Sequence, residues 1–179
     1  MAVLRLLPTK RGQALVEMAL MAPVLFLMVL GASDLSRLFY YSTAITNAAR
    51  EGARHGAYFD PIASTPGNTY ATDAAIFSTV NTEASYLSLT EPCHPNTSCA
   101  GGLTNCPSYP YTNAQYPPTS GANSGYVYIC FNDTTTATTA TVGQPIRVTI
   151  LYSFQPVTPL VGAMVHSAAS TEILTQGNS

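Results

Sequence analysis

Residues 11–33 read RGQALVEMALMAPVLFLMVLGAS. About 20 of them form an apolar run that only Glu17 and Pro23 interrupt, and at 1.5 Å of rise per residue a helix of that length matches the roughly 30 Å hydrocarbon core of a bilayer. An ordinary secretory signal has a shorter apolar core, about 7 to 15 residues. The stretch predicts a membrane-spanning helix over about residues 14–33. Arg5, Lys10 and Arg11 precede it with no acid among them, and a positive flank of this kind stays on the cytoplasmic side. The expected topology is single-pass in the cytoplasmic membrane, with the N-terminus inside and everything beyond about residue 34 in an extracytoplasmic head.

The helical pattern does not stop at the end of the apolar run. Leu35, Leu38, Ser42, Ile45 and Ala49 recur at spacings of three and four, which marks one helical face. Ala48, Gly52 and Gly56 fall four apart, and small residues at that spacing allow another element to approach the backbone closely. A helix over 13–58 would be about 69 Å long, more than twice the bilayer core. Asp34 with Arg37, and Glu51 with Arg54 or His55, are spaced to pair on it. Phe39, Tyr40 and Tyr41 lie roughly two turns past the apolar run, too far out for a simple interfacial belt unless the helix tilts, and are expected to pack on the outer domain.

Glu17 is the odd residue of the span, because a carboxylate at membrane depth costs about 2.5 to 3.5 kcal/mol and calls for a partner. Counting Gln13 as one, it is the fifth residue after Gly12. A basic leader, a glycine and an apolar helix with Glu at its fifth position resemble the start of a type IV prepilin. RGQALVEMALMAP, followed by ASDLSRLFYYSTAITNAAREGARHGAY, resembles the TadE-like family of pilin-like proteins from bacterial tight-adherence (Tad) pilus systems. The likeness covers about residues 11–58. It implies a precursor with a leader over 1–12, cut by a prepilin peptidase between Gly12 and Gln13. It also implies that Glu17 neutralises the new N-terminal amine of a neighbouring subunit. The partners it implies are the membrane, the peptidase, other pilin-like subunits and the pilus assembly machinery, and the role is that of a minor pilin or pseudopilin, not an enzyme.

The remainder, 59–179, has a different composition. The four cysteines, Cys93, Cys99, Cys106 and Cys130, all lie there, at spacings unlike paired C-x2-C zinc sites. In an oxidising compartment an even count predicts disulfides, with three pairings open; four free thiols are the alternative. Residues 90–125 are rich in Pro, Gly, Asn, Ser and Tyr, a loop composition that cross-links would tie down. Residues 71–89 predict a short amphipathic helix, and 126–131, 146–153 and 167–174 predict strands, the second with Arg147, Thr149 and Ser153 on an exposed face. The expected fold class is α+β: a long N-terminal transmembrane helix packed against a small antiparallel β-sheet head with long disulfide-tied loops, type IV pilin-like.

Only 9% of residues are charged, against about 25% in an average soluble domain, and six of the seven basic residues lie at or before Arg54. A nucleic-acid surface needs clustered Lys and Arg, so that class is excluded. His55, His94 and His166 stand far apart, and no phosphate-binding loop or nucleophile elbow occurs. The acids of the head are few and scattered, so no carboxylate pair is expected. The reading is therefore of a structural protein with no metal, no cofactor and no small-molecule substrate. The competing reading is an unprocessed single-pass anchor that carries an extracytoplasmic binding module.

Overall fold

The computed structural model describes residues 10–58, 70–93, 106–118, 123–134, 137–158 and 165–175. The first element, α1, runs over Lys10–Ala57, about 72 Å of helix, and continues through Pro23 without interruption. Along its first half the large apolar side chains, from Leu15 to Leu30, all stand exposed. Among the described residues no core covers them, as expected of a segment whose solvent is lipid.

From Asp34 onward one stripe of α1 turns inward: Asp34, Ala44, Ile45, Ala48, Ala49, Gly52, Ala53 and Gly56 are buried. Against this stripe pack the second helix, α2 (Asp73–Glu83), and a four-stranded sheet. Close approach explains the two glycines. A Cβ on Gly52 would overlap Cγ2 of Val80, and one on Gly56 would lie 2.7 Å from Cδ1 of Ile76 and 3.2 Å from Cδ1 of Ile146. Glycine in a helix costs about 1 kcal/mol against Ala, and here the seam between α1, α2 and the sheet offsets it. The side chain of Thr72 caps α2, accepting a hydrogen bond from the Ala75 N–H at 3.3 Å.

The strands are β1 (Ser88–Thr90), β2 (Ser124–Phe131), β3 (Pro145–Phe154) and β4 (Val165–Leu174), in spatial order β1-β2-β3-β4. The expectation of a wholly antiparallel sheet needs correction: β2–β3 and β3–β4 are antiparallel, but β1 pairs with β2 in parallel, Leu89 opposite Gly125. A tight hairpin cannot join parallel neighbours, and the long segment between Glu91 and Asn123 supplies the crossover. The Thr-rich stretch 134–141 lies between β2 and β3, with isolated bridges between Phe131 and Thr134 and between Thr72 and Thr139.

Both faces of β2 and β3 are largely covered, while His166, Ala168, Ser170 and Glu172 leave one face of β4 exposed. Toward α1 point Val127, Ile129, Phe131, Ile146, Val148, Ile150, Tyr152 and Phe154. On the other face Tyr128, Cys130 and Leu151 are buried under Cys93, Cys106 and Tyr116. The half-exposed strand expected over 146–153 is thus buried on both sides except at Arg147, which stays partly exposed. Thr149 and Ser153 are fully buried; the Thr149 hydroxyl meets that of Ser170 at 2.9 Å, and Ser153 donates to the Pro117 carbonyl at 3.3 Å. The described part of the loop-rich segment, 106–118, forms a third layer.

A disulfide joins Cys106 to Cys130, 24 residues apart, and so fastens that layer to β2. Cys93 is disulfide-bonded too, while Cys99 and His94 lie outside the described residues. Most of the leader, 1–9, lies outside them as well.

Candidate functional site

The N-terminal end of α1 carries the residues singled out for processing and assembly. Gly12 and Gln13 sit in its first turns. Gln13 and Glu17 are one turn apart, and the Gln13 side-chain amide donates to Glu17 Oε1 at 3.2 Å. Both side chains are exposed. Glu17 is the only charged residue between Gly12 and Ser33, so this carboxylate interrupts an otherwise apolar surface. It stands about 25 Å along the helix from Asp34, where the head begins.

Ala48, Gly52 and Gly56 stand at the opposite end, on the seam inside the head. They let α2 and β3 approach the stem and leave no open surface for a second chain.

The junction between stem and head is built on Asp34. Its Oδ1 accepts from the Val157 N–H at 3.1 Å, and its Oδ2 accepts from both the N–H and the hydroxyl of Thr158, at 2.8 and 2.7 Å. The Thr158 hydroxyl first, then the Thr158 and Val157 N–H groups, hold this carboxyl below the usual range against the opposing effect of burial. Arg37 lies 3.7 Å from Asp34. Its guanidinium also sits over the rings of Tyr41 and Phe154, 5.9 and 5.5 Å from their centroids. Sequence reasoning identified the Asp34–Arg37 spacing but missed the clamp on residues 157–158. The available signal was that Asp34 shares the stripe of Leu38, Tyr41 and Ile45.

The three aromatics after that point divide. Tyr41 packs on the head, 5.6 Å from the Tyr152 ring and 5.7 Å from Phe154. Phe39 and Tyr40 do not follow it as expected: they are 66% and 58% exposed. Successive helical residues turn by about 100°, so only Tyr41 of the three falls on the head-facing stripe. Tyr40 instead meets the ring of Tyr86, from the turn after α2, at 5.2 Å.

One pairing contradicts the expectation of scattered acids. Asp73, the buried first residue of α2, and Glu91, half-buried just beyond β1, form a carboxyl pair. Burial first, then the hydrogen bond and charge of Asp73, pushes the Glu91 carboxyl up to about 8. It joins the start of a helix to the end of a strand. Elsewhere, Arg147 on β3 pairs with Asp133 from the β2–β3 connection.

Residues 12–54 match the family model described as TadE-like protein. No curated protein and no solved structure matches the chain. The matched segment is the stem itself, from the glycine ahead of the apolar run to the small-residue seam. The head lies beyond it.

Proposed function

From a stem that carries the TadE-like segment, we propose that the protein is a minor pilin or pseudopilin. It would be a membrane-anchored structural and assembly component of a Tad (type IVc-like) pilus or a related secretion system. The observation that carries this reading is the lone Glu17 carboxylate on an exposed apolar helix, five residues past Gly12. Cleavage after Gly12 by a prepilin peptidase would create an amine at Gln13. In an apolar surrounding, an amine on one subunit and a carboxylate on the next are each expensive alone and mutually stabilising together. The proposed topology keeps the basic leader cytoplasmic and the head extracytoplasmic.

Two measurements test it. In cells with the cognate peptidase, mass spectrometry of the purified chain should find an N-terminus at Gln13, and Gly12→Val should block the cut; a wild-type chain still carrying its leader would remove the precursor claim. Glu17→Leu should leave the chain in the membrane while pilus assembly fails. The alternative, an unprocessed anchored binding module, draws on the Gln13–Glu17 hydrogen bond, which already gives the carboxylate a partner within its own chain. On that reading Glu17→Leu is silent.

A further inference from the structure

Among the described residues, five of the nine large apolar side chains exposed beyond the span lie at one level, while Tyr58, Tyr109, Val142 and Leu174 lie elsewhere on the head. Leu35, Phe39, Tyr40, Tyr86 and Val157 are all exposed, and all belong to the end of the head nearest the span. Tyr86 is held there by its ring contact with Tyr40. Val157 is held by its N–H bond to Asp34. A groove of about 280 Å³ opens at the same level, lined by Leu35, Leu38, Phe154 and Val165 together with the clamped pair Asp34 and Thr158. Farther along the stem the exposed positions become polar: Thr43, Asn47, Arg50 and Arg54.

Depth follows from helix geometry. Phe39 and Tyr40 lie six and seven residues beyond Ser33, about 9 and 10.5 Å of rise. The headgroup layer extends roughly 5 to 7 Å beyond each side of the hydrocarbon core. Helical side chains lean toward the N-terminus, over the preceding turn. In α1 that direction is back toward the span, which brings both rings down to headgroup depth. We propose that the base of the head rests in the outer headgroup layer of the bilayer, with Leu35, Phe39, Tyr40, Tyr86 and Val157 as its lipid-facing band. The band is drawn from three chain segments at one height. A docking face for a second stem would instead run on as an apolar stripe along the helix, and that stripe ends at Tyr40. Tyrosine at this depth keeps its ring in the apolar boundary and its hydroxyl in water.

This inference rests on the membrane-anchored reading above, and one experiment separates the two. The chain has no tryptophan, so a single introduced indole reports its own depth. Phe39→Trp and Tyr40→Trp are made in the full chain and reconstituted into phosphatidylcholine–phosphatidylglycerol liposomes that carry a spin-label quencher either at the headgroup or deep in the acyl chain. Phe26→Trp serves as the control inside the span and Tyr109→Trp, on the loop layer, as the control in water. Phe39→Trp and Tyr40→Trp should lose about half or more of their emission to the headgroup quencher and little to the deep one, as interfacial rings do. Phe26→Trp should respond to the deep quencher and Tyr109→Trp to neither. If Phe39→Trp and Tyr40→Trp behave like Tyr109→Trp while Phe26→Trp is quenched, the chain is anchored but its head stands clear of the lipid, and the proposal falls. Shielding of Phe39→Trp only at high protein-to-lipid ratio would overturn it in favour of a second subunit. An unquenched Phe26→Trp would remove the anchoring reading itself.

Discussion

Asp34 Oδ2 receives two hydrogen bonds from Thr158, one from its backbone N–H and one from its hydroxyl, across 124 residues of sequence. This is the point where the stem leaves its apolar half and the head begins. Asp34→Ala leaves the Val157 and Thr158 N–H groups without their acceptor, so amide exchange at 157–158 should accelerate while β3 remains protected. Thr158→Val removes one bond of three and should have the smaller effect. The pH dependence has a definite sign. The folded carboxyl lies below its ordinary value of 3.8, so the clamp's contribution is fully present above about pH 4 and is lost as pH falls through the lower folded value. Thermal unfolding in detergent between pH 5 and 2 should show that loss in the wild type, and Asp34→Asn should lack this component.

The seam at Gly52 sets two effects against each other. Alanine is the better helix former by about 1 kcal/mol, yet its methyl would overlap Cγ2 of Val80. Val80 is short, β-branched and fully buried, so it cannot swing aside, and overpacking of this kind costs about 1 to 3 kcal/mol. Gly52→Ala should therefore destabilise the head, as read by chemical denaturation. The double variant Gly52→Ala/Val80→Ala should recover part of the loss, a non-additivity that two independent sites would not give.

Removing the Cys106–Cys130 link tests the third layer. The loop it closes spans 24 residues, for which chain entropy gives about 3 kcal/mol. Cys106→Ser should lower the melting temperature and expose Tyr128, whose hydroxyl donates to the Gln115 carbonyl at 2.7 Å in the intact layer. Far-UV circular dichroism from α1 should stay intact, because the sheet stands between the stem and this layer.

The Asp73–Glu91 pair gives the opposite pH dependence to Asp34. The Glu91 carboxyl rises from 4.5 to about 8 in the folded chain. Its stabilising contribution is fully present below about pH 4.5 and is lost as pH rises through about 8, since the unfolded chain releases the proton first. Glu91→Gln keeps a donor toward Asp73 without the titration. The difference in melting temperature between wild type and Glu91→Gln, followed from pH 4 to 9, should shift in favour of the variant as pH rises.

Local periodicity made much of the fold readable. The apolar run and the three-four spacing through Ala49 specify α1, because a helix repeats every few residues and leaves its face in the sequence. β-branched alternation did the same for β3. What could not be read were relationships between distant positions. Nothing near Asp34 announces Thr158, and nothing in Ile146–Ser153 announces that the face bearing Thr149 is covered by residues 106–118. The same limit hid the parallel entry of β1 beside β2 and the meeting of Asp73 with Glu91. Of the three consecutive aromatics, composition could not separate Tyr41 from Phe39 and Tyr40; only the angle each takes around the helix does.

The clamp at Asp34 has a mechanical consequence. A helix held to its cargo by side chains along a seam and again by a carboxylate at its base has no swivel at the junction. Pull or twist applied to the upper half of α1 therefore reaches the sheet through both attachments at once.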